Sequence, residues 1–155
     1  FWSSQVDVMC EFARQRPAWQ RQHLREFFRI AGQADITVTV NDPVCGHVRI
    51  NTIDIDQRTP GVTGAAYPWT GVYFRDFPLT LTAVACSNAY FVDWHVTPAG
   101  APAYTATNRT LVLVPSGAVS VSASFAPVAE PASVTLLGLG VLLYAALRSR
   151  AHAQR

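Results

Sequence analysis

The chain contains no lysine; its cationic side chains are arginines. Without lysine these residues cannot form a Schiff base with a carbonyl substrate. Nor can they supply the lysine of a Walker-type phosphate loop or of a kinase phosphate site. Charge of either sign is sparse, at 14% of residues, with a net value of +2. Positions 1–33 hold Arg14, Arg16, Arg21, Arg25 and Arg29 against Asp7, Glu11 and Glu26, while positions 34–126 are mildly acidic. That balance offers no footprint for nucleic acid. No Gly-x-Ser-x-Gly elbow and no Ser/His/Asp set is present, so hydrolase chemistry has no support. His23, His47, His95 and His152 share no metal-ligand spacing with one another or with cysteine. Asn51, Asp54 and Asp56 offer oxygens at a strand end, but a calcium loop wants more ligands and a glycine-supported turn. They read as solvated loop carboxylates. No catalytic residue, cofactor or metal ligand is therefore expected. The chain begins at Phe1 without a basic n-region, an apolar h-region or a small-residue cleavage site. It is expected to be the C-terminal piece of a longer exported protein.

What is present is most pronounced near the end. From Pro131 to Leu147 there is no acidic or basic residue, and Leu136, Leu137, Leu139, Val141, Leu142, Leu143 and Leu147 go all round a helix. A core helix of a small domain shows one polar face; this segment has none. At ~1.5 Å per residue it reaches about 25 Å, just enough for a bilayer core. A transmembrane helix over 132–147 is expected. Arg148, Arg150 and Arg155 follow it and only Glu130 precedes it closely, so the positive-inside rule keeps the C-terminus in the cytoplasm. The competing reading is a greasy terminal helix docked on a domain.

Upstream, the hydrophobic period is helical over 3–30, where Val6, Met9, Cys10 and Ala13 recur and Pro17 suits the first turn of a second helix. Leu24, Phe27, Phe28 and the more distant Trp19 form an apolar stripe with arginines opposite, and Gly32 reads as a C-terminal stop. The stripe either packs on the following domain or belongs to the edge of a larger, absent one. From Asp35 the period becomes two. "DITVTV", the turn "NDPVCG" and "HVRINTI" predict a hairpin over 35–53. A Gly/Pro/Thr-rich loop at 56–70 leads to further alternating runs, about seven strands in all. The expected fold is mainly β: a small antiparallel sandwich or meander, preceded by two short helices and followed by the single membrane helix. Its divisions are 1–33, 34–126 and 127–155.

Three resemblances attach to these segments. Ala129-Glu130-Pro131, the short apolar run and the Arg-rich tail with Arg148 and Arg150 resemble the bacterial PEP-CTERM sorting signal, whose usual tripeptide is Pro-Glu-Pro. That resemblance implies recognition by an exosortase, a membrane cysteine peptidase acting near the tripeptide. "GVYFRDFPLTLTAVACSNAYFVDW" is similar to the internalin-type B-repeat, with Gly71, Tyr73, Leu79, Leu81, Ala83, Tyr90 and Trp94 at matching types. "FARQRPAWQRQHLREFFRI" followed by "VRINT" resembles the tail of CotH-like proteins, the spore-coat kinase-like family. In that family a helical tail of the kinase-like body leads into such a β module.

Two constellations remain. If the strand at 79–86 returns beside the one after the turn at 42–46, Cys86 ends level with Cys45. An exported compartment then permits a disulfide, the alternative being two buried thiols. Cys10, on an apolar helix face, reads as packing. Tyr67, Trp69 and Tyr73 cluster near the first loop, either as a ligand surface for sugar rings or as ordinary core. Three functions compete. The first is a non-catalytic surface module of a CotH-like exported protein. The second is an accessory part of a kinase-like enzyme whose body lies upstream. The third is a carbohydrate- or matrix-binding module. Expected partners are an exosortase, the inner membrane, and exopolysaccharide or surface proteins. The β module is expected on the periplasmic side, reaching the cell surface or extracellular matrix after processing.

Overall fold

The computed structural model describes residues 2–129. Helix α1 spans Trp2–Phe28. Strands β1 to β9 follow: Gln33–Val40, Gly46–Ile50, Ile53–Ile55, Trp69–Phe74, Leu79–Ala85, Ala89–Pro98, Tyr104–Ala106, Thr110–Leu113 and Val119–Pro127. They form a sandwich of a 5-stranded sheet, ordered β4-β1-β9-β6-β7, and a 4-stranded sheet, ordered β3-β2-β5-β8. The inward positions alternate along each strand as the pleat requires. Ile36, Val38, Val121, Trp94 and Val96 of the larger sheet meet Val48, Ile50, Leu79, Leu81 and Leu113 of the smaller. Trp94 is fully buried, and its indole N–H donates to the Asn108 carbonyl at 2.9 Å. That bond satisfies the ring's one polar group.

The mainly β class is as expected, with three differences in detail. The two helices expected over 3–30 are one, α1, which runs through Pro17. Pro17 leaves one helix carbonyl without its backbone donor, and because α1 buries no residue that group is not sealed from solvent. The helix ends at Phe28 with Arg29 in the left-handed region (φ 54°), and the Ile30 N–H donates to the Arg25 carbonyl at 2.9 Å. That closure replaces the stop expected at Gly32. The stripe is not covered by the sandwich: Trp19, Phe27 and Phe28 stay exposed.

The second difference is the hairpin over 35–53. β1 and β2 lie in different sheets, and β2 pairs instead with β3 and β5. Asn41 explains the crossing. Its side-chain amide donates to the Phe125 carbonyl at 2.9 Å and accepts the Phe125 N–H at 2.8 Å. A side chain thus continues the ladder to β9 where the β1 backbone leaves it. The third difference is that β1 and β9 pair in parallel, with Ile36 opposite Val119 and Val40 opposite Ala123. The chain therefore enters the larger sheet at one end of the sandwich and leaves it at the other. The expected membrane helix over 132–147, with Glu130, Pro131, Arg148 and Arg150, lies outside the described residues.

Candidate functional site

The polar groups gather where β2 and β3 meet the long loop. His47 and Arg49 are two apart on β2 and share its outer face, and Asp54 stands opposite Arg49 on β3. The Arg49 guanidinium donates to both Asp54 carboxylate oxygens, at 2.7 and 3.1 Å, and His47 Nε2 lies 3.0 Å from Asp54 Oδ1. Bonding to Arg49 chiefly holds the Asp54 carboxyl below the usual carboxylate range, against some desolvation. Reciprocally, Asp54 raises the Arg49 guanidinium. All three groups are partly solvated, so the pair fixes strand register more than it adds stability.

Two side chains fasten the loop to β3. Thr59, buried, donates from its hydroxyl to the Asp54 carbonyl and accepts the Asp56 N–H, both at 2.8 Å. The Tyr67 hydroxyl donates to the Ile55 carbonyl at 2.6 Å and accepts the Val48 N–H at 2.8 Å. It stands between β2 and β3 where a direct ladder bond would run. Burial pushes the Tyr67 phenol up to about 12, helped by nearby Asp56 and Asp54 and opposed by the Val48 N–H. A cavity of about 380 Å³ opens beside it, bounded by Pro43, His47, Ile55, Asp56, Arg58 and Tyr67.

Of the aromatic trio, only Tyr67 borders this cavity. Trp69 and Tyr73 do not line it. They alternate with exposed Thr70 and Val72 on edge strand β4 and pack against the core. Between them sits Gly71, where a Cβ would strike the Trp69 ring, so the missing side chain is what lets the two rings converge to 6.4 Å. Burial raises the Tyr73 phenol as well. The pair, partly buried, covers the core at the sheet edge.

Asn51, Asp54 and Asp56 point to separate partners: Asn51 Oδ1 accepts the Thr80 N–H, Asp54 meets Arg49, and Asp56 Oδ1 accepts the Arg58 N–H. Among the described residues no group of three His, Cys, Asp or Glu is placed to hold a metal ion.

Cys45 and Cys86 are brought together. Gly46 pairs with Ala85 at the end of the β2–β5 ladder, and one step further the Cys86 N–H donates to the Cys45 carbonyl at 2.9 Å. Both thiols are free here, and the Cys45 thiol donates to Asp42 Oδ2 at 3.3 Å. Sequence reasoning gave Asp42 no role, although Asn-Asp-Pro is a turn-starting pattern. Its other oxygen accepts the Val44 N–H at 2.9 Å, closing the turn. That bond, then the one from Cys45, lowers the Asp42 carboxyl, and Asp42 in turn raises the Cys45 thiol. Cys10 is exposed on α1, not packed as expected.

No family model, no curated protein and no solved structure matches the chain.

Proposed function

We propose that this chain is a non-catalytic surface module that spaces an upstream body from the membrane. A C-terminal signal read by an exosortase anchors and sorts it. The observation that carries this reading is the parallel β1–β9 pair, which sets entry and exit at opposite ends of the sandwich. β9 has 9 residues, so the two ends are separated by roughly 30 Å. Beyond the exit come Ala129-Glu130-Pro131, the apolar run to Leu147, and Arg148 and Arg150. In this reading the run spans the inner membrane with the sandwich outside it, and processing releases the module to the surface or matrix. α1 is then the tail of a CotH-like, kinase-like body, and its exposed Trp19, Phe27 and Phe28 pack on that body.

A matrix-binding role is the second reading. It draws on the cavity beside Tyr67, with its apolar walls and the polar groups of His47, Asp56 and Arg58.

The test is Glu130→Ala with Pro131→Ala in a full-length parent carrying its export signal, in a host with an exosortase. Both positions precede the apolar run and add little to insertion. Membrane insertion is expected to persist while release of the β module stops. Equal release from wild type and the double variant overturns the sorting reading and leaves a plain anchor.

A further inference from the structure

Cys45 and Cys86 sit directly opposite each other, one step past the last registered pair of β2 and β5. Cys45 closes the turn, its own N–H donating to the Asp42 carbonyl at 3.1 Å, and the bond from the Cys86 N–H to its carbonyl holds the two residues side by side at the end of the ladder. Facing residues of an antiparallel ladder hold their Cα atoms about 4.5–5.5 Å apart, inside the ~4.4–6.8 Å window that a disulfide spans, and the single backbone bond between Cys86 and Cys45 continues that approach one step past the ladder. The two thiols differ in setting. Cys86 is exposed, whereas Cys45 is half-buried and donates to the Asp42 carboxylate. The turn that follows Cys86 also holds the departing chain, since the Val128 N–H donates to the Asn88 carbonyl at 2.8 Å.

We propose that Cys45 and Cys86 form an oxidation site that closes to an inter-strand disulfide by exchange with a small-molecule disulfide, Cys86 reacting first and Cys45 resolving. In the first step the Cys86 thiol loses its proton, and its sulfur attacks one sulfur of the oxidant RS–SR. A protein–SR mixed disulfide forms and RS⁻ leaves, taking up the proton. In the second step Cys45 gives up its proton and attacks the Cys86 sulfur. The Cys45–Cys86 bond forms and the second RSH departs. Two protein thiols are oxidised, and one RS–SR is reduced to two RSH. The order follows from access and from Asp42, which by accepting the Cys45 proton's hydrogen bond disfavours the Cys45 thiolate, the attacking species. The bridge fastens the turn bearing Pro43, one wall of the cavity, to the end of the sandwich from which the chain leaves. That is where tension from an anchored C-terminus would be felt.

The test treats the reduced full chain with oxidised glutathione, quenches with an alkylating agent and maps the peptides by mass. Wild type is expected to yield a peptide pair joined through Cys45 and Cys86, with alkylation lost at both, while exposed Cys10 is alkylated or carries a glutathione adduct and joins neither. Cys45→Ser is expected to stall as a glutathione adduct on Cys86. Cys86→Ser should gain its adduct on Cys45 much more slowly. Wild type that keeps glutathione on Cys86 without cross-linking overturns the bridge, and so does pairing of either cysteine with Cys10. Adduct formation at Cys45 before Cys86 overturns the order. The wild-type map decides on the bridge even where a variant folds poorly.

Discussion

Tyr67 satisfies two backbone groups with one part-buried hydroxyl. Tyr67→Phe keeps the ring and removes both bonds, leaving the N–H of fully buried Val48 unpaired. A cost of about 1–3 kcal/mol in chemical denaturation is expected. The same phenol makes stability sensitive to alkali. Its folded value, about 12, stands above the ordinary 10, so its contribution is complete below pH 10 and lost as pH rises toward 12. Wild type should therefore lose stability in that window faster than Tyr67→Phe. Asp54 acts at the other end. Bonded chiefly by Arg49, its carboxyl is held below 3.8, so its contribution is present above that pH and lost as pH falls through the folded value. Acid titration of stability should show a shallower slope below pH 4 for Asp54→Asn than for wild type, the remainder including Asp42. Gly46 is a packing requirement: an added Cβ would lie 2.6 Å from Phe125 Cε1, in a ring already packed edge-on against Phe91. Gly46→Ala should cost ~1–3 kcal/mol through overpacking.

At the level of elements, α1 and the sandwich hold together by different means. The strands interlock through a shared core, but α1 contributes no buried residue to it. A chain lacking residues 2–30 is therefore expected to keep the thermal midpoint and near-ultraviolet signal of the β module. A large drop in midpoint would show that α1 packs on the sandwich. The contrast also explains what the sequence revealed. Period-two alternation in "DITVTV", "LTLTAVA" and "VSVSASFAP" located strands whose inward residues are indeed core. Alternation says which face is buried, not which sheet a strand joins, and so it does not separate a β1–β2 hairpin from a crossing between sheets. The deciding group was the Asn41 amide, which continues the β9 ladder and frees the backbone to cross. The helical period over 3–30 was legible, but Pro17 suggested a break that an exposed helix does not need. The closeness of Cys45 and Cys86 was readable because the β2–β5 pairing returned as expected. The inward turn of Trp69 and Tyr73 was not, because either face of an edge strand can hold an aromatic.

For the molecule as a whole, the parallel β1–β9 pair makes the sandwich a through-connection, with α1 at the entry end and the linker at the exit end. If the apolar run after that exit spans the bilayer, its orientation rests on the charges flanking it, since summed hydrophobicity drives insertion in either direction. Glu130 alone precedes the run closely, and Arg148, Arg150 and Arg155 follow it. Replacing all three arginines with serine should leave the segment in the membrane fraction, because no apolar residue changes. It should, however, weaken retention of the C-terminus inside. The readout is protease accessibility of a C-terminal tag in spheroplasts of a host making the exported parent. Wild type is expected to keep the tag protected, and the triple variant to expose it in a measurable fraction of molecules. Equal protection in both would mean that the arginines do not set topology. The prior export of the folded sandwich would then have fixed the orientation before the span arrived.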